Sequence, residues 1–313
     1  MDGRNPAFAE RRSPEIEIID IAPNLKLLNP QPPIPGYGMF ICSYLLLGAN
    51  KVLVDPGPSA AVPGLFTALD AAGVGPDEID YIVLTHIHMD HAGGTGAAIK
   101  KMPHAAVIAH SRAIPHLVDP ERLWNASLKT LGQLALKYGQ IEPVPESRIT
   151  AAGDRMKIDP GGLDLEILLT PGHAIHHLSI FERANRILIA GEAAGVCIDG
   201  AVRPATPPPF KLEETLASVD RLIELAPAKL CYGHFGCCDG GLERLKLYRE
   251  KLITWHGIIN AEAAKGKNAA EILAVLTEKD RDLGYLEKMD RDEYAREYTL
   301  LLNTINGMAG ISL

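Results

Sequence analysis

The stretch Thr85-His86-Ile87-His88-Met89-Asp90-His91-Ala92-Gly93-Gly94 constrains this chain more than any other. The apolar, β-branched run Tyr81–Leu84 before it reads as a buried strand. Three imidazoles and a carboxylate at positions 86, 88, 90 and 91 are too dense for one extended strand, whose alternate side chains face opposite ways. They suit a turn after the strand, where several side chains converge on one pocket. Gly93 and Gly94 give that turn its backbone freedom. Imidazole and carboxylate are ligands for zinc, iron or manganese. A metal is expected here.

Three further stretches share the arrangement. Thr170-Pro171-Gly172-His173 follows the run Leu163–Leu169, Ala190-Gly191-Glu192 follows Arg186–Ile189, and Gly233-His234 follows Lys229–Tyr232. Each sets a His or Glu at a strand end, next to a Gly that lets the chain bend sharply. In order from about Phe40 to Gly236, the chain resembles the metallo-β-lactamase-fold hydrolases, marked by HxHxDH, a His after TPG, an acidic residue and a final His. That resemblance implies an α/β fold, a four-layer αββα sandwich of two similar halves with added helices and a dinuclear site at one edge. It further implies that His86, His88 and His173 bind one metal and that Asp90, His91 and His234 bind the other. Glu192 falls where the family usually has a bridging Asp. Its extra methylene leaves two readings: a bridge from a backbone set further back, or coordination of one metal only. The resemblance thus implies two divalent ions, zinc first, and with no thiolate among these positions iron and manganese remain alternatives. Asp55, before a Pro-Gly turn, looks like the superfamily's aspartate that supports a ligand His; capping the turn is the competing reading. His177 sits where the superfamily often has a polar residue supporting the site.

The rest of the chain bounds the partners. A net charge of −8 argues against a nucleic-acid groove. No run approaches the roughly 18 apolar residues of a membrane span, and no secretory h-region follows the polar start Met1–Pro14. Five cysteines, two of them adjacent (Cys237 and Cys238), fit a reducing, cytoplasmic setting. Strands are expected at Glu15–Ile19, Leu25–Leu28, Phe40–Leu47, Lys51–Val54 and Ala106–Ala109, then at Leu163–Leu169, Leu178–Phe181, Arg186–Ala190 and Lys229–Tyr232. The organisation expected is a metallo-β-lactamase-like domain over 1–240, with a helical insert at about 111–140. A helical extension over 241–313 packs on it and covers the sheet, caps the site or forms a homodimer interface. The insert around Trp124 and the Pro-rich loop ending at Phe210 are expected as pocket walls, for a small, partly apolar substrate.

Functionally, this ligand set points to a metal-dependent hydrolase of a lactone, thioester or phosphoester. Two cations lower the pKa of a shared water, and Asp90 both coordinates and passes the proton to the leaving group. The alternatives are a mononuclear iron oxygenase or persulfide dioxygenase on the same fold, and a non-catalytic metal-binding protein. The stretches His110–Trp124 and Arg203–Phe210 are similar to a subgroup of archaeal and bacterial members of unassigned substrate. Gly195 stands where quorum-type lactonases often carry a Tyr, and the basic C-terminal residues of glyoxalase II are not evident.

Overall fold

The computed structural model describes residues 17–311, so the polar start Met1–Pro14 and the beginning of the strand expected at Glu15–Ile19 lie outside the described residues. The first sheet is built in sequence order from β1 (Ile18–Ala22), β2 (Leu25–Leu28), β3 (Ser43–Leu47), β4 (Lys51–Val54), β5 (Ile79–Val83), β6 (Ala106–His110) and β7 (Ile149–Ala152). The second sheet contains β8 (Met156–Ile158), β9 (Leu165–Leu169), β10 (Leu178–Glu182), β11 (Ile187–Gly191), β14 (Lys229–Tyr232) and β15 (Cys237–Asp239), in the spatial order 15-14-11-10-9-8. A small hairpin of β12 (Val196–Ile198) and β13 (Ala201–Arg203) stands apart.

Side-chain alternation explains the layering. Along β4, Val52 and Val54 face the second sheet while Leu53 faces outward, and along β11 Ile187 and Ile189 face the first sheet while Leu188 faces outward. The inward sets meet in one apolar core between the sheets. Outside the first sheet, Leu45, Leu53, Ile82 and Val107 pack against helix α1 (Val62–Ala71) and against α3 (Thr95–Ile99), which follows the single-turn α2 (Met89–Ala92). The insert contributes α4 (Ile114–Val118), α5 (Glu121–Leu131) and α6 (Gln133–Tyr138). Outside the second sheet, α7 (Leu212–Glu224), α8 (Gly241–Ala263), α9 (Ala269–Lys279) and α10 (Arg291–Met308) form one continuous apolar cluster with Leu168, Leu188 and Leu230. The result is the αββα sandwich.

Strand direction sets the site. β4, β5, β6 and β7 run parallel; β11 and β14 run parallel, and β9 shares their direction through antiparallel β10. The C-terminal ends of β4, β5, β9, β11 and β14 therefore gather at one edge. There the sheets touch: Ile41 forms an isolated bridge with His234, and Cys42 N–H donates to Gly233 O at 3.1 Å. That contact explains why the strand expected from Phe40 begins only at Ser43. β7, β8, β12, β13 and β15 were not foreseen, because runs of three or four residues such as Cys237-Cys238-Asp239 carry too little alternation to announce a strand.

The C-terminal helices are fixed from inside. Arg203 on β13 forms a buried ion pair with Glu297 on α10, its Nη2 donating to Oε2 at 2.8 Å, and Tyr285 Oη donates to Glu297 Oε1 at 2.5 Å. Trp255 of α8 is buried in the outer core and its Nε1–H donates to Asp280 Oδ2 at 2.8 Å. Trp255→Ala is expected to lower unfolding free energy by about 3–5 kcal/mol, read by urea denaturation, since it leaves a large cavity between helix and sheet.

Candidate metal centre

Each residue of the HxHxDH stretch is placed by its local backbone. β5 ends at Val83; His86 lies in the following turn, His88 is the N-cap of α2, and Asp90 and His91 lie on its single turn. Thr85 holds this turn down: Asp55 Oδ1 accepts from Thr85 N–H at 2.8 Å and Oδ2 accepts from Thr85 Oγ1 at 2.5 Å. Asp55 is buried with a φ of 51°, so it both turns the chain after β4 and serves the site. At β11, Gly191 has φ 56°, and a Cβ there would stand 2.7 Å from His177 Nε2. At β14, a Cβ on Gly233 would stand 2.7 Å from His91 Cε1. No larger residue fits either bend without displacing a site histidine.

The hydrogen bonds assign the ring protons. Thr85 gives its hydroxyl proton to Asp55, so its oxygen accepts from His86 Nδ1–H at 3.1 Å. His91 Nδ1–H donates to Asp55 Oδ2 at 3.2 Å, His173 Nδ1–H to Ala205 O at 2.9 Å, and His234 Nδ1–H to Phe40 O at 3.0 Å. Four imidazoles are thus anchored by Nδ1 and turn Nε2 inward, as ligands oriented by outer partners do. His88 completes the first group through Nδ1, which lies 3.0 Å from both His86 Nε2 and His173 Nε2.

Burial holds His86 and His88 well below the usual imidazole range, which favours the neutral rings. A neutral His88 has a single ring proton for its two contacts at 3.0 Å, so it cannot donate fully to both, and a cation among these nitrogens would satisfy them together. Nitrogens about 2.0–2.1 Å from a tetrahedral zinc stand roughly 3.3 Å apart, close to the spacing seen. In the second group His91 Nε2 is fully buried with no hydrogen-bond partner. Burial disfavours the charged ring of His91, but the carboxylates of Asp90, Asp55 and Glu192 outweigh it and raise its pKa well above the ordinary value. Carboxylates that favour a proton there favour a divalent cation as well. The donors of His86, His88, His173 and Glu192 lie within 4.8 Å of one another, as do those of Asp90, His91 and His234. The residues present fit a pair of metal ions.

Glu192 stands between the two groups. Its Oε2 lies 2.9 Å from His173 Nε2 and 3.4 Å from the Nε2 of both His86 and His91, while Oε1 lies 3.5 Å from His234 Nε2. The extra methylene does not carry the carboxylate past either group. Although burial opposes its charge, His173 and His234 hold Glu192 well below the usual carboxylate range. Asp90 Oδ2 lies 3.9 Å from His91 Nε2 and 3.7 Å from His234 Nε2, and its side chain is 19% exposed, facing the cavity. His177, fully buried, acts from behind: its Nε2 accepts from Glu192 N–H at 3.1 Å, and its Nδ1–H donates to Thr170 Oγ1 at 2.9 Å. His176, adjacent, is half-buried and its Nδ1 has no partner.

A cavity of about 690 Å³ opens from His88, Asp90, His173, Glu192 and His234. Its walls are the loop at Ile34–Phe40, α5 and α6, the segment Ala205–Pro208, and one face of α10. Two expectations are corrected here, since neither Trp124 nor Phe210 lines it. On α5 the wall is made by Leu123, Ala126, Ser127 and Thr130, and Trp124, about 100° further round the helix, packs instead with the cluster of Ile34, Tyr37 and Tyr138. Phe210 packs into the outer core near His256, ring centroids 6.3 Å apart. Capping of the site, one of the three roles left open for the C-terminal extension, is what α10 does here, but its cavity residues (Ala295, Thr299, Asn303) were not singled out because they look like a solvated helix face.

A family model described as the metallo-beta-lactamase superfamily matches residues 37–234. A metallo-beta-lactamase fold-containing protein of Sulfurisphaera tokodaii, ST1585, is 31% identical over 214 residues, 67% of this chain and 76% of that protein. An acyl-coenzyme A thioesterase of Gallus gallus, MBLAC2, is 28% identical over 62% of this chain and 69% of its own length. Among solved structures, the metallo-beta-lactamase family protein TTHA1429 of Thermus thermophilus superposes with a TM-score of 0.68 at 24% identity, covering 92% of this chain and 93% of its own. The chain belongs to the metallo-beta-lactamase superfamily, which includes metal-dependent hydrolases.

Asp55→Asn keeps the shape but loses the charge that fixes His91. It is expected to weaken the binding of one of two zinc ions by roughly 10–100-fold, measured by competition with a chromogenic chelator.

Proposed function

We propose that this member of the metallo-beta-lactamase superfamily is a metal-dependent hydrolase of a small ester-like substrate: a lactone, a thioester or a phosphoester. The observation that carries the reading is Glu192, whose one carboxylate lies within 3.5 Å of imidazoles from both ligand groups on the floor of the cavity. His86, His88 and His173 would hold one divalent ion, Asp90, His91 and His234 the other, and Glu192 would join them, zinc being the ion best suited to this nitrogen-rich set. Such a pair, when bound, lowers the pKa of a shared water and polarises the oxygen of the bond to be cleaved.

The chain's own residues do the rest. Of the two acids in the ligand groups, Asp90 is the more open to the cavity, so it accepts the proton of the attacking water and returns it to the leaving oxygen or sulfur. Asp55, Ala205 O and Phe40 O keep the imidazoles from turning, and His177 fixes the Glu192 backbone, so the charge at the site is arranged before substrate arrives. Leu123, Leu131, Leu134 and Leu300 wall the cavity and would favour a substrate with an apolar part. The thioesterase relative supports an ester-like carbonyl, and seven donors in two groups favour two ions over the single iron of an oxygenase.

Removal of metal by a chelator is expected to abolish hydrolysis of 4-nitrophenyl acetate and of an acyl thioester, with recovery on adding zinc. His88→Ala should cost at least roughly a hundredfold in kcat/KM while the thermal unfolding profile stays cooperative. Full activity in protein shown to be metal-free would refute the mechanism.

A further inference from the structure

Behind the aromatic wall of the cavity lies a cation that the metal centre does not use. Arg296, on α10, is 6% exposed and lines the cavity. Its guanidinium carbon lies 4.7 Å from the centroid of Phe40, 5.1 Å from that of Phe235 and 5.5 Å from that of Tyr37. Among the described residues no hydrogen bond or ion pair is made by this guanidinium, and its Nε is fully buried without a partner. Two acids of its own helix act on its charge: Glu297, which is already committed to Arg203 and Tyr285, and Glu293, whose carboxylate accepts from Asp290 N–H at the helix start. Three ring faces attract a cation but offer it no hydrogen-bond acceptor. A buried guanidinium left in that state is costly, and groups of this kind are retained where something else completes them.

Its position says what that partner is. Phe40 stacks on the His234 ring, centroids 3.9 Å apart and 15° from parallel, so Arg296 and the second ligand group share one aromatic ring. Arg296, Asp90 and His234 also line one cavity, so a substrate seated at Asp90 and His234 can extend towards the guanidinium. We propose that Arg296, framed by Tyr37, Phe40 and Phe235, is the recognition site for an anionic oxygen group, a carboxylate or a phosphate, carried by the substrate beside its scissile ester or thioester. Guanidinium pairs with such groups through parallel charge-assisted hydrogen bonds, and the rings shield the pair from water. Lys137 of α6 and Asp292 of α10 also line the cavity, one charge of each sign. The site thus sorts substrates by charge at one end and cleaves at the other. This specificity rests on the hydrolase reading for its biological use, but the anion site itself does not.

The test separates the two. Metal-loaded wild-type protein, Arg296→Met and Arg296→Gln are first compared for zinc content and thermal unfolding, then titrated calorimetrically with glutarate, with propyl phosphate and with neutral glutaramide. The wild type should bind one of the two anions and not glutaramide, and the better anion identifies the group. Both variants should bind that anion at least roughly tenfold more weakly, the loss of a charge-assisted pair. In parallel, 4-nitrophenyl butyrate and the 4-nitrophenyl monoester of glutarate are offered as substrates. The ratio of kcat/KM for the anionic over the neutral ester should fall at least roughly tenfold in the variants, mainly through KM, with Arg296→Lys recovering part of it. Anion affinity that does not depend on Arg296, or no anion binding by the wild type, overturns the proposal. Arg296-dependent anion binding with neither ester cleaved leaves the anion site standing and counts against the hydrolase reading instead. Should Arg296→Met or Arg296→Gln fail to fold, Arg296→Lys, which keeps the charge but not the paired N–H donors, decides by the same anion titration.

Discussion

Ring nitrogens gathered about 3 Å from one another, with one His88 proton at most for two contacts, are the constraint on which the rest of this structure depends. His86, His88 and His173 are held there because their outer nitrogens or backbone are already engaged, and the carboxylate of Glu192 reaches the same point. The fold supplies the work of bringing them together, and a cation would complete the arrangement. Glu192 matters most because it lies between the groups: it is 2.9 Å from His173 and 3.5 Å from His234, which arise from different strands of the second sheet.

The sandwich makes this possible through direction. Parallel strands β4 and β5 in one sheet, and co-directional β9, β11 and β14 in the other, end at one edge, so every ligand arrives on a loop carried by a rigid strand. Apolar packing between the sheets fixes the separation of those edges, and hydrogen bonds from behind the ligands fix the ring orientations. The helical additions then build a wall around the site. α5 and α6 close one side, while α10, locked by the buried Arg203–Glu297 pair, closes another and brings Arg296 to the cavity.

Much of this was legible in the sequence. HxHxDH after an apolar run fixes a strand, a turn and a ligand cluster at once, because no other use of four such side chains in six positions suits that place. The single residues His173, Glu192 and His234 were legible for the same reason, each lying beyond an apolar run and close to a Gly. The strands expected at Leu25–Leu28 and Lys51–Val54 fall at those residues. The cavity walls were not legible in this way. Whether Leu123 or Trp124 faces a pocket depends on helix rotation against a partner that sequence does not reveal, and Trp124 proved to face the wrong way. Arg296 was hidden more deeply, since its aromatic cage is assembled from Tyr37, Phe40 and Phe235, residues remote in the chain.

The claim that two ions share one carboxylate is tested most directly by titrating metal-stripped protein with zinc, wild type beside Glu192→Gln, and counting bound equivalents calorimetrically. The account predicts two equivalents in the wild type and weakened binding of both in the variant, because the lost charge lies within 3.5 Å of ligands from each group. A single equivalent in the wild type, or two equivalents whose affinities are untouched by Glu192→Gln, would contradict it.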